Sequence, residues 1–473
     1  MTTTTMQQHE PPGGAGEAEH YDAIVIGAGQ AGPGVAADAA GRGGRVALIE
    51  MERVGGTCLN HGCKPTKALR ASAVVAHQAR RAEVYGVHTG EVTIDFPAVM
   101  ARVHRVIEDQ VQGLAGYLDG VDHLEQIHGR ATLTTDPDGV AHRVEVAGRT
   151  LTTGRVYLNV GSRASVPPLP GLDTVEVMTE VELLALTELP EHLVIVGGGY
   201  LGCEFGQMFA RFGSQVTIVA SGGLAAREDP DVRQILTDLF TEEGIRVVDG
   251  RTSSVARSLA RDGASDGVEV TLEDGSTVTG SHLLMAVGRR SNSDLLGEHG
   301  VETDDHGFFV TDGRYQTSVP GVWALGDVNG RGAWTHTSYQ DSQILLAPPR
   351  TADGRITTYA MFTDPPLGRV GMSSADARTS GRRVLKAEIG MARVSRAILE
   401  SETTGVMRIL VDADSEEILG ASILGLQADD VIQVVGTAIQ AGVRYPTLRD
   451  ALPIHPTVAE YVPSILTSLQ PLD

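Results

Sequence analysis

The sequence Tyr21-Asp22-Ala23-Ile24-Val25-Ile26-Gly27-Ala28-Gly29-Gln30-Ala31-Gly32 runs from an apolar stretch into a glycine-rich turn. The apolar residues predict a buried parallel strand, and a helix is predicted from Pro33 to Gly41. A second predicted strand, Arg45 to Glu50, ends in an acid. In such a βαβ unit, backbone N–H groups at the helix start bind a pyrophosphate, and the acid binds an adenosine ribose. The residues predicted to bind this first dinucleotide are Gly27, Gly29, Gly32 and Glu50.

The pattern returns at Leu193-Val194-Ile195-Val196-Gly197-Gly198-Gly199-Tyr200-Leu201-Gly202. A predicted helix through Phe212 and a predicted strand from Gln215 to Val219 follow it. Two dinucleotides are therefore expected. Counted from the first glycine of each turn, the position of Glu50 corresponds to Ala220, so the second site lacks the ribose-binding acid. Its predicted contacts are Gly197, Gly199 and Gly202.

The missing acid bears on the choice between NADPH and NADH. A carboxylate at this position would hydrogen-bond the 2′-hydroxyl of NAD and repel the 2′-phosphate of NADP. Ala220 and the nearby Ser221 and Arg227 therefore favour NADPH, with NADH as the less favoured donor. Arg227 is equally compatible with a solvated surface charge.

Cys58 and Cys63 flank the short segment Leu59-Asn60-His61-Gly62, and the chain contains only three cysteines. A bridge that closes so short a loop removes little entropy from the unfolded chain, so stability is a weak reason for it. A structural zinc site needs four ligands, and there is no second cysteine pair. We therefore expect a redox-active pair and no metal site. The third cysteine, Cys203, is expected to be a buried small hydrophobe.

Composition limits the classes of partner. A length of 473 residues suggests about three domains, and a net charge of −22 argues against nucleic acid and anionic membranes. Residues 1–20 have no apolar core and are expected to form a disordered tail rather than a signal peptide. No apolar run reaches the roughly 18 residues needed to span a bilayer. With few cysteines, a cytoplasmic location is expected.

The chain changes character from about Ala360. Alternating apolar segments, including Val406–Val411 and Ile418–Leu424, predict antiparallel strands, and Ala428 to Gly442 predicts a helix. These features indicate a separate α+β domain at the C-terminal end of the chain.

The segment from Gly55 to Lys67 resembles the redox-active disulfide motif of the class I pyridine nucleotide-disulfide oxidoreductases. This is the flavoprotein family of dihydrolipoyl dehydrogenase, glutathione reductase and mercuric reductase. Leu158–Ser162 and Leu284–Arg289 resemble the paired segments that lead into and out of the inserted nucleotide domain. Trp323–Val328 resembles the second flavin motif, in which Asp327 would hydrogen-bond the ribityl chain. The resemblance runs from about Tyr21 to the C-terminus and places further cofactor contacts at Gly56, Thr57, Ala131, Gly161 and Gly288.

The implied architecture is α/β, with two Rossmann-like dinucleotide-binding domains, one inserted in the other, and a C-terminal α+β dimerisation domain. FAD would bind the first dinucleotide fold and NAD(P)H the second. The implied division of the chain is a tail at residues 1–20, an FAD-binding domain at 21–170 and 291–350, an NAD(P)H-binding domain at 171–290, and a dimerisation domain at 351–473.

The resemblance also implies catalytic roles. Cys63 would face the flavin, and Cys58 would be the outer thiol that attacks the substrate. Lys67 would approach the flavin and pair with Glu204, and Tyr200 would gate the nicotinamide pocket, although Tyr200 could also simply pack the helix.

Ile454-His455-Pro456-Thr457-Val458-Ala459-Glu460 resembles the catalytic His-Pro-Thr-x-x-Glu motif of the family. His455 would shuttle a proton and Glu460 would orient its ring, and each active site of a homodimer would borrow both residues from the partner chain.

The function expected from these features is electron transfer from NADPH through FAD and the Cys58–Cys63 disulfide to a small-molecule or protein disulfide, or another thiol-reactive substrate. Three alternatives remain: an NAD-dependent dihydrolipoyl dehydrogenase, a mercuric or other metal-ion reductase, and a flavin-binding redox sensor with little turnover. The sequence as a whole, including residues 27–33, 335–339 and 365–372, most resembles proteins described as mercuric-reductase-like. The segment Leu466–Asp473, however, lacks the cysteine pair that true mercuric reductases use to receive the metal.

Overall fold

A computed structural model describes residues 17–259 and 266–472 of the chain. The strands, numbered along the chain, are β1 (Glu19–His20), β2 (Ala23–Ile26), β3 (Val46–Glu50), β4 (Leu124–His128), β5 (Thr132–Thr134), β6 (His142–Val146), β7 (Arg149–Thr153), β8 (Val156–Leu158), β9 (Ser162–Ala164), β10 (Val177–Met178), β11 (His192–Val196), β12 (Gln215–Ala220), β13 (Arg246–Asp249), β14 (Thr252–Leu259), β15 (Asp266–Leu272), β16 (Thr277–Gly280), β17 (His282–Met285), β18 (Arg289–Ser291), β19 (Val322–Ala324), β20 (Thr358–Met361), β21 (Leu367–Gly371), β22 (Val384–Gly390), β23 (Val406–Asp412), β24 (Ile418–Leu424) and β25 (Gln470–Pro471).

The α-helices are α1 (Gly32–Gly41), α2 (Gly56–Asn60), α3 (Cys63–Arg80), α4 (Phe96–Asp119), α5 (Glu180–Leu183), α6 (Tyr200–Phe212), α7 (Pro230–Glu242), α8 (Thr335–Leu346), α9 (Ser374–Thr379), α10 (Ser395–Leu399), α11 (Ala428–Gln440), α12 (Tyr445–Arg449) and α13 (Tyr461–Ile465). Short 3-10 helices lie at Ala82–Tyr85, Leu172–Thr174, Ser293–Leu296, Gly326–Asn329 and Met391–Arg393.

The chain forms two compact units. The first contains the residues up to Gly56 together with Val111–Ser162 and Ser291–Ala352, and the second contains Thr57–Gln110, Arg163–Arg290 and the residues from Asp353 onward. The three domains expected from the sequence have other boundaries, and those boundaries remain a prediction.

A five-stranded parallel sheet in the order β19-β8-β2-β3-β4 forms the centre of the first unit. All four residues of β2 are buried, as expected for a strand covered on both faces. A second sheet in the order β1-β7-β6-β5 contributes Leu133, Val144 and Leu151 to the same hydrophobic core as Ile24 and Leu158.

A second parallel sheet, in the order β10-β17-β11-β12-β13, lies in the second unit. Strands β14, β15 and β16, which come between β13 and β17 in the sequence, form a separate antiparallel sheet. The third sheet of this unit has six antiparallel strands in the order β20-β21-β24-β23-β22-β25. Helix α11 packs closely on it, because a Cβ at Gly368 in β21 would lie 2.5 Å from the Ala428 carbonyl oxygen. The architecture is two Rossmann-like folds and a C-terminal α+β domain, as predicted.

The expected tail at residues 1–20 is too long. Glu19 and His20 form β1, which pairs in parallel with Leu151 and Thr152 of β7, and the Glu19 carboxylate binds Arg149. These backbone and ionic contacts outweigh the low hydrophobicity that suggested disorder. Residues 1–16 lie outside the described part of the chain. Across the described residues, no helix is both long and apolar enough to cross a membrane.

Candidate active site

The first glycine turn joins β2 to α1 and leaves no room for a side chain at Gly27 or Gly32. Gly27 has a φ of +101°, and a Cβ there would lie 2.3 Å from the Asn159 carbonyl oxygen. A Cβ at Gly32 would lie 2.1 Å from the Gly27 carbonyl oxygen. Glu50 at the end of β3 accepts a hydrogen bond from the Ala28 N–H at 2.8 Å, so the predicted ribose acid lies at this turn.

Asn159 is a positioning residue that the sequence reasoning missed. It is buried, its Oδ1 accepts from the Gly32 N–H at 2.9 Å, and its Nδ2 donates to the Leu325 carbonyl at 2.9 Å. It therefore ties the start of α1 to the segment that follows β19. Asn159 and Gly32 are far apart in the chain, and no local spacing in the sequence marks the pair.

Asp327 lies in the 3-10 turn after β19, and Ser162 donates a hydrogen bond to its Oδ2 at 2.8 Å. A second acid, Asp341 on α8, holds this turn because its Oδ2 accepts from the Gly326 N–H at 2.8 Å and from Asn329 Nδ2 at 3.0 Å. Asp341 is 1% exposed and was also missed from the sequence.

These residues of the first unit fit a bound FAD. The glycine turn forms a cradle that side chains would fill, since a Cβ at Gly56 would lie 2.7 Å from the Gly29 Cα. Glu50 lies at the turn, and another acid, Asp327, is fixed just after β19 of the same sheet. These are the features that a dinucleotide with a ribityl chain requires.

The other predicted cofactor contacts occupy several environments. Ala131 is buried in the core of the first unit. Gly161 has a φ of +67°, and its carbonyl accepts from the Asn292 N–H. In the second unit, Thr57 is exposed on α2, and the Gly288 carbonyl accepts from the Ser165 N–H at 2.9 Å.

The second glycine turn, between β11 and α6, repeats the close packing of the first. A Cβ at Gly197 would lie 2.3 Å from the Ala286 carbonyl oxygen, and one at Gly202 would lie 2.0 Å from the Gly197 carbonyl oxygen. At Gly199, by contrast, no described residue other than its chain neighbours lies within 4 Å of a Cβ. This open side of the turn precedes the first residue of α6, Tyr200.

The adenosine end of the second site contains one group that sequence reasoning missed. Ser221 and Arg227 are exposed, and Ala220 is buried at the end of β12. Asp249 pairs with Ala220 across the sheet, and its Oδ1 accepts from the Gly222 N–H at 2.8 Å. A carboxylate is therefore present at this end of the sheet, supplied by β13 instead of β12.

Cys58 lies half-buried in α2, and Cys63 is the exposed first residue of the 18-residue helix α3. The first turn of α3 contains no acidic residue. Lys64 and Lys67 lie near the start of this helix. Cys203 is fully buried in α6 as predicted, and burial raises the pKa of its thiol to about 12, so it is not a second reactive thiol.

Lys67 and Glu204 form the predicted ion pair, with 2.7 Å between Nζ and Oε2. The other carboxylate oxygen of Glu204 accepts from the Phe362 N–H at 2.9 Å, and Lys67 Nζ lies 4.2 Å from the centre of the Phe362 ring. The pair thus connects α3, α6 and the segment that follows β20.

Tyr200 is held by its hydroxyl group, which donates to Glu228 Oε1 at 2.6 Å. Its ring lies 5.3 Å from the ring of Tyr359, measured between centroids. The sequence singled out Tyr200 but neither Glu228 nor Tyr359, because these residues come from three separate segments.

His455 Nδ1 lies 2.9 Å from Glu460 Oε2. The imidazole is 72% exposed and the Glu460 side chain is 12% exposed, so a partly buried carboxylate orients a ring that faces outward. Thr457 supports the loop, because its hydroxyl donates to the Ile454 carbonyl and accepts from the Glu460 N–H. The described residues contain no group of three or more histidine, cysteine or acidic side chains that could hold a metal ion.

Two family models match the chain. The pyridine nucleotide-disulphide oxidoreductase model covers residues 21–342, and the dimerisation domain of the same family covers residues 357–465. The chain therefore belongs to the pyridine nucleotide-disulphide oxidoreductase family, whose members are FAD-binding oxidoreductases.

Its relatives differ in their named activities. The chain is 33% identical to the probable pyridine nucleotide-disulfide oxidoreductase RclA of Escherichia coli, over 93% of this chain and 97% of RclA. It is also 33% identical to a mercuric reductase of Streptomyces lividans, over 93% of this chain and 94% of that protein. A dihydrolipoyl dehydrogenase of Chlamydia muridarum is 31% identical, over 93% and 95% of the two chains.

Among solved structures, the HOCl-induced flavoprotein disulfide reductase RclA of Escherichia coli matches with a TM-score of 0.83 and 31% identity. The match covers 95% of this chain and all of that one. LpdA of Mycobacterium tuberculosis matches with a TM-score of 0.84 and 26% identity, over 94% and 99% of the chains.

Proposed function

We propose that this protein is an FAD-dependent NADPH:disulfide oxidoreductase that reduces a disulfide, or another thiol-reactive substrate, through Cys58 and Cys63. The observation that carries the proposal is Cys63 at the start of α3, in one short helix–turn–helix segment with Cys58. When bound, FAD would supply two-electron transfer between the reduced nicotinamide nucleotide and the Cys58–Cys63 disulfide.

The two cysteines then have different roles. The Cys58 thiolate attacks one sulfur of the substrate disulfide, which forms a mixed disulfide and releases the first thiolate. The Cys63 thiolate next attacks the Cys58 sulfur, which restores the Cys58–Cys63 disulfide and releases the second thiolate. The start of α3 stabilises Cys63 as a thiolate until this step.

His455, with Glu460 orienting its ring, donates a proton to the first departing thiolate. We propose a homodimer in which this pair serves the cysteines of the partner subunit. The loop that carries His455 supports a partner, because Leu452 is 97% exposed and Ile454 is 78% exposed. Large apolar side chains this exposed beside a functional residue are typical of surfaces that a second chain covers.

The preference for NADPH rests on the absence of an acid at Ala220 and on the nearby Ser221 and Arg227. A second candidate function, an NAD-dependent dihydrolipoyl dehydrogenase, is favoured by Asp249. Its carboxylate lies beside Ala220 in the sheet and would repel a 2′-phosphate.

Steady-state turnover of the purified protein with each donor tests the proposal. The kcat/KM for NADPH, measured with a disulfide such as 5,5′-dithiobis(2-nitrobenzoate), should be higher than the kcat/KM for NADH, measured with lipoamide. The reverse order would establish the dihydrolipoyl dehydrogenase candidate, and Asp249→Asn should then narrow the preference for NADH. A single reduction event without sustained turnover on any acceptor would indicate a redox sensor.

A further inference from the structure

Glu228 is an acid of the second unit with a fully enclosed side chain that the proposed chemistry does not use. Its side chain is 0% exposed, and three groups donate to it. Tyr200 Oη lies 2.6 Å and Tyr359 Oη 2.8 Å from Oε1, and Arg369 lies 2.8 Å from Oε2. Burial and the Glu228 carboxylate raise the pKa of both tyrosines, so each phenol stays protonated and donates its hydrogen bond.

The C-terminal sheet holds this acid in place. Tyr359 on β20 and Arg369 on β21 are cross-strand neighbours, so their side chains reach Glu228 from one face. The next residue, Asp229, binds Arg408 of β23 at 2.7 Å and the Ser374 hydroxyl at 2.8 Å. Glu228 is therefore anchored independently of Tyr200, and the Tyr200 hydrogen bond connects α6 to a fixed point.

The same segment also adjoins the second glycine turn. Glu228 follows Arg227, and its N–H donates to the Ala225 carbonyl at 2.8 Å. The Ala225 N–H in turn donates to the Gly198 carbonyl at 2.7 Å. A short chain of hydrogen bonds thus runs from the turn, through the loop after β12, to the acid that holds Tyr200. The adenosine end of the site and Tyr200 share one support.

We propose that Glu228 is a positioning residue that holds the Tyr200 ring against Tyr359 and so keeps the nicotinamide side of the second dinucleotide site open. This inference rests on the proposed function and on the gating place at the nicotinamide pocket that the family resemblance implies for Tyr200. Among the described residues, none other than a chain neighbour lies within 4 Å of a Cβ at Gly199, and Tyr200 is the chain neighbour that carries a side chain. The hydrogen bond to Glu228 determines where its ring rests.

A released ring would lower the fraction of protein that is ready to bind the nicotinamide. Apparent affinity falls in proportion to that fraction. If this binding-ready fraction falls to between about a fifth and a tenth of its wild-type value, the Kd for the whole dinucleotide rises about 5- to 10-fold. The adenosine end does not meet the ring, so its affinity stays unchanged. This contrast separates a positioning role from a general loss of structure.

Calorimetric binding to the FAD-loaded protein tests the proposal. The probes are NADP⁺ and NAD⁺. Each is compared with a fragment that lacks the nicotinamide: 2′,5′-ADP for NADP⁺ and ADP-ribose for NAD⁺. Tyr200→Phe removes only the tethering hydroxyl and leaves Glu228 paired with Tyr359 and Arg369. It should weaken the whole dinucleotide about 5- to 10-fold and leave the fragment within twofold of wild type.

Tyr359→Phe is the matched control, because it removes the other phenol from the same carboxylate oxygen and leaves the Tyr200 tether. It should leave the affinities for the dinucleotide and for the fragment within twofold of the wild-type values. Equal weakening of dinucleotide and fragment by Tyr200→Phe, or no change in either, would overturn the positioning role. Failure of the wild-type protein to bind NADP⁺ or NAD⁺ would instead overturn the proposed function.

Discussion

Three carboxylates, Glu50, Glu204 and Glu228, each accept hydrogen bonds from groups that serve a different part of the proposed chemistry. Glu50 binds the backbone of the first glycine turn, Glu204 binds Lys67 of the redox helix, and Glu228 binds Tyr200 of the second turn. An acceptor enclosed by donors fixes those donors, and removing one partner leaves the other unsatisfied. Single side chains therefore set the geometry on which each proposed step depends.

Cys58→Ser should abolish reduction of the disulfide substrate, because the attacking thiol is lost. Cys63 would remain as a thiolate at the start of α3, so the bound flavin should keep a long-wavelength charge-transfer band. The measurement is turnover together with the visible spectrum of the purified variant. Cys203→Ala is the matched control and should turn over normally, since Cys203 is buried in α6. Full turnover of Cys58→Ser would contradict its assigned role.

Helices α3 and α6 are joined at both ends. Near their starts lies the Lys67–Glu204 pair, and at the far end Arg80 donates to the Arg211 carbonyl. Arg211 itself is 5% exposed and binds both Glu243 and Asp364. The helix that begins at Cys63 is therefore fixed to the helix that begins at Tyr200 along its length.

Arg211→Leu should lower the free energy of unfolding by about 3–5 kcal/mol, because two acids lose their buried partner. Denaturant unfolding, monitored by circular dichroism, measures this change in the free energy of unfolding. Arg42→Ala, which breaks an exposed pair with Asp38, is the control and should leave the unfolding midpoint unchanged. A midpoint for Arg211→Leu equal to that of wild type would show that the network does not stabilise the fold.

The elements that sequence patterns predicted are those set by local rules. Both strand–glycine–helix turns and the strand Ile418–Leu424 occur where predicted, because apolar runs and obligatory glycines are visible in adjacent residues. The Lys67–Glu204 and His455–Glu460 pairs also form, and these followed from family motifs.

The residues that sequence patterns missed hold the site through distant contacts. Asn159, Asp341 and Glu228 each bind groups from other segments, and the sequence patterns gave none of the three a role. Glu19 illustrates the same effect, because polar composition suggested disorder while β7 and Arg149 hold it in a sheet. Long-range partners decide these positions, and a single sequence does not contain that information.

At the scale of the whole molecule, five histidines predict how stability varies with pH. Burial lowers the pKa of His77, His142, His192, His282 and His299 below the ordinary value of 6.5. As pH falls through 6.5, the unfolded chain takes up more protons than the folded one, so stability decreases.

The melting temperature should therefore fall by about 2–5 °C between about pH 7.5 and pH 5.5, when measured by calorimetry at constant ionic strength. This interval lies above the range in which most carboxylates titrate. A melting temperature that rises on acidification would contradict the conclusion that burial lowers the pKa of these histidines.

The proposed sharing of each active site between two chains predicts complementation between two inactive proteins. Co-expressed chains carrying Cys58→Ser and His455→Ala, each with its own affinity tag, form heterodimers that can be purified through both tags. One site then combines wild-type Cys58 with wild-type His455 of the partner subunit, so about half of wild-type turnover should return. Inactive heterodimers would place the histidine and the cysteines of each site in one chain.

The most direct test of the central claim is an anaerobic titration of the purified, flavin-loaded protein with NADPH, and separately with NADH, recorded across the visible spectrum. The account predicts a long-wavelength thiolate-to-flavin charge-transfer band at about two electrons per subunit, reached at lower concentration with NADPH. Bleaching of the flavin without this band would show that Cys58 and Cys63 do not exchange electrons with it, and would contradict the proposed function.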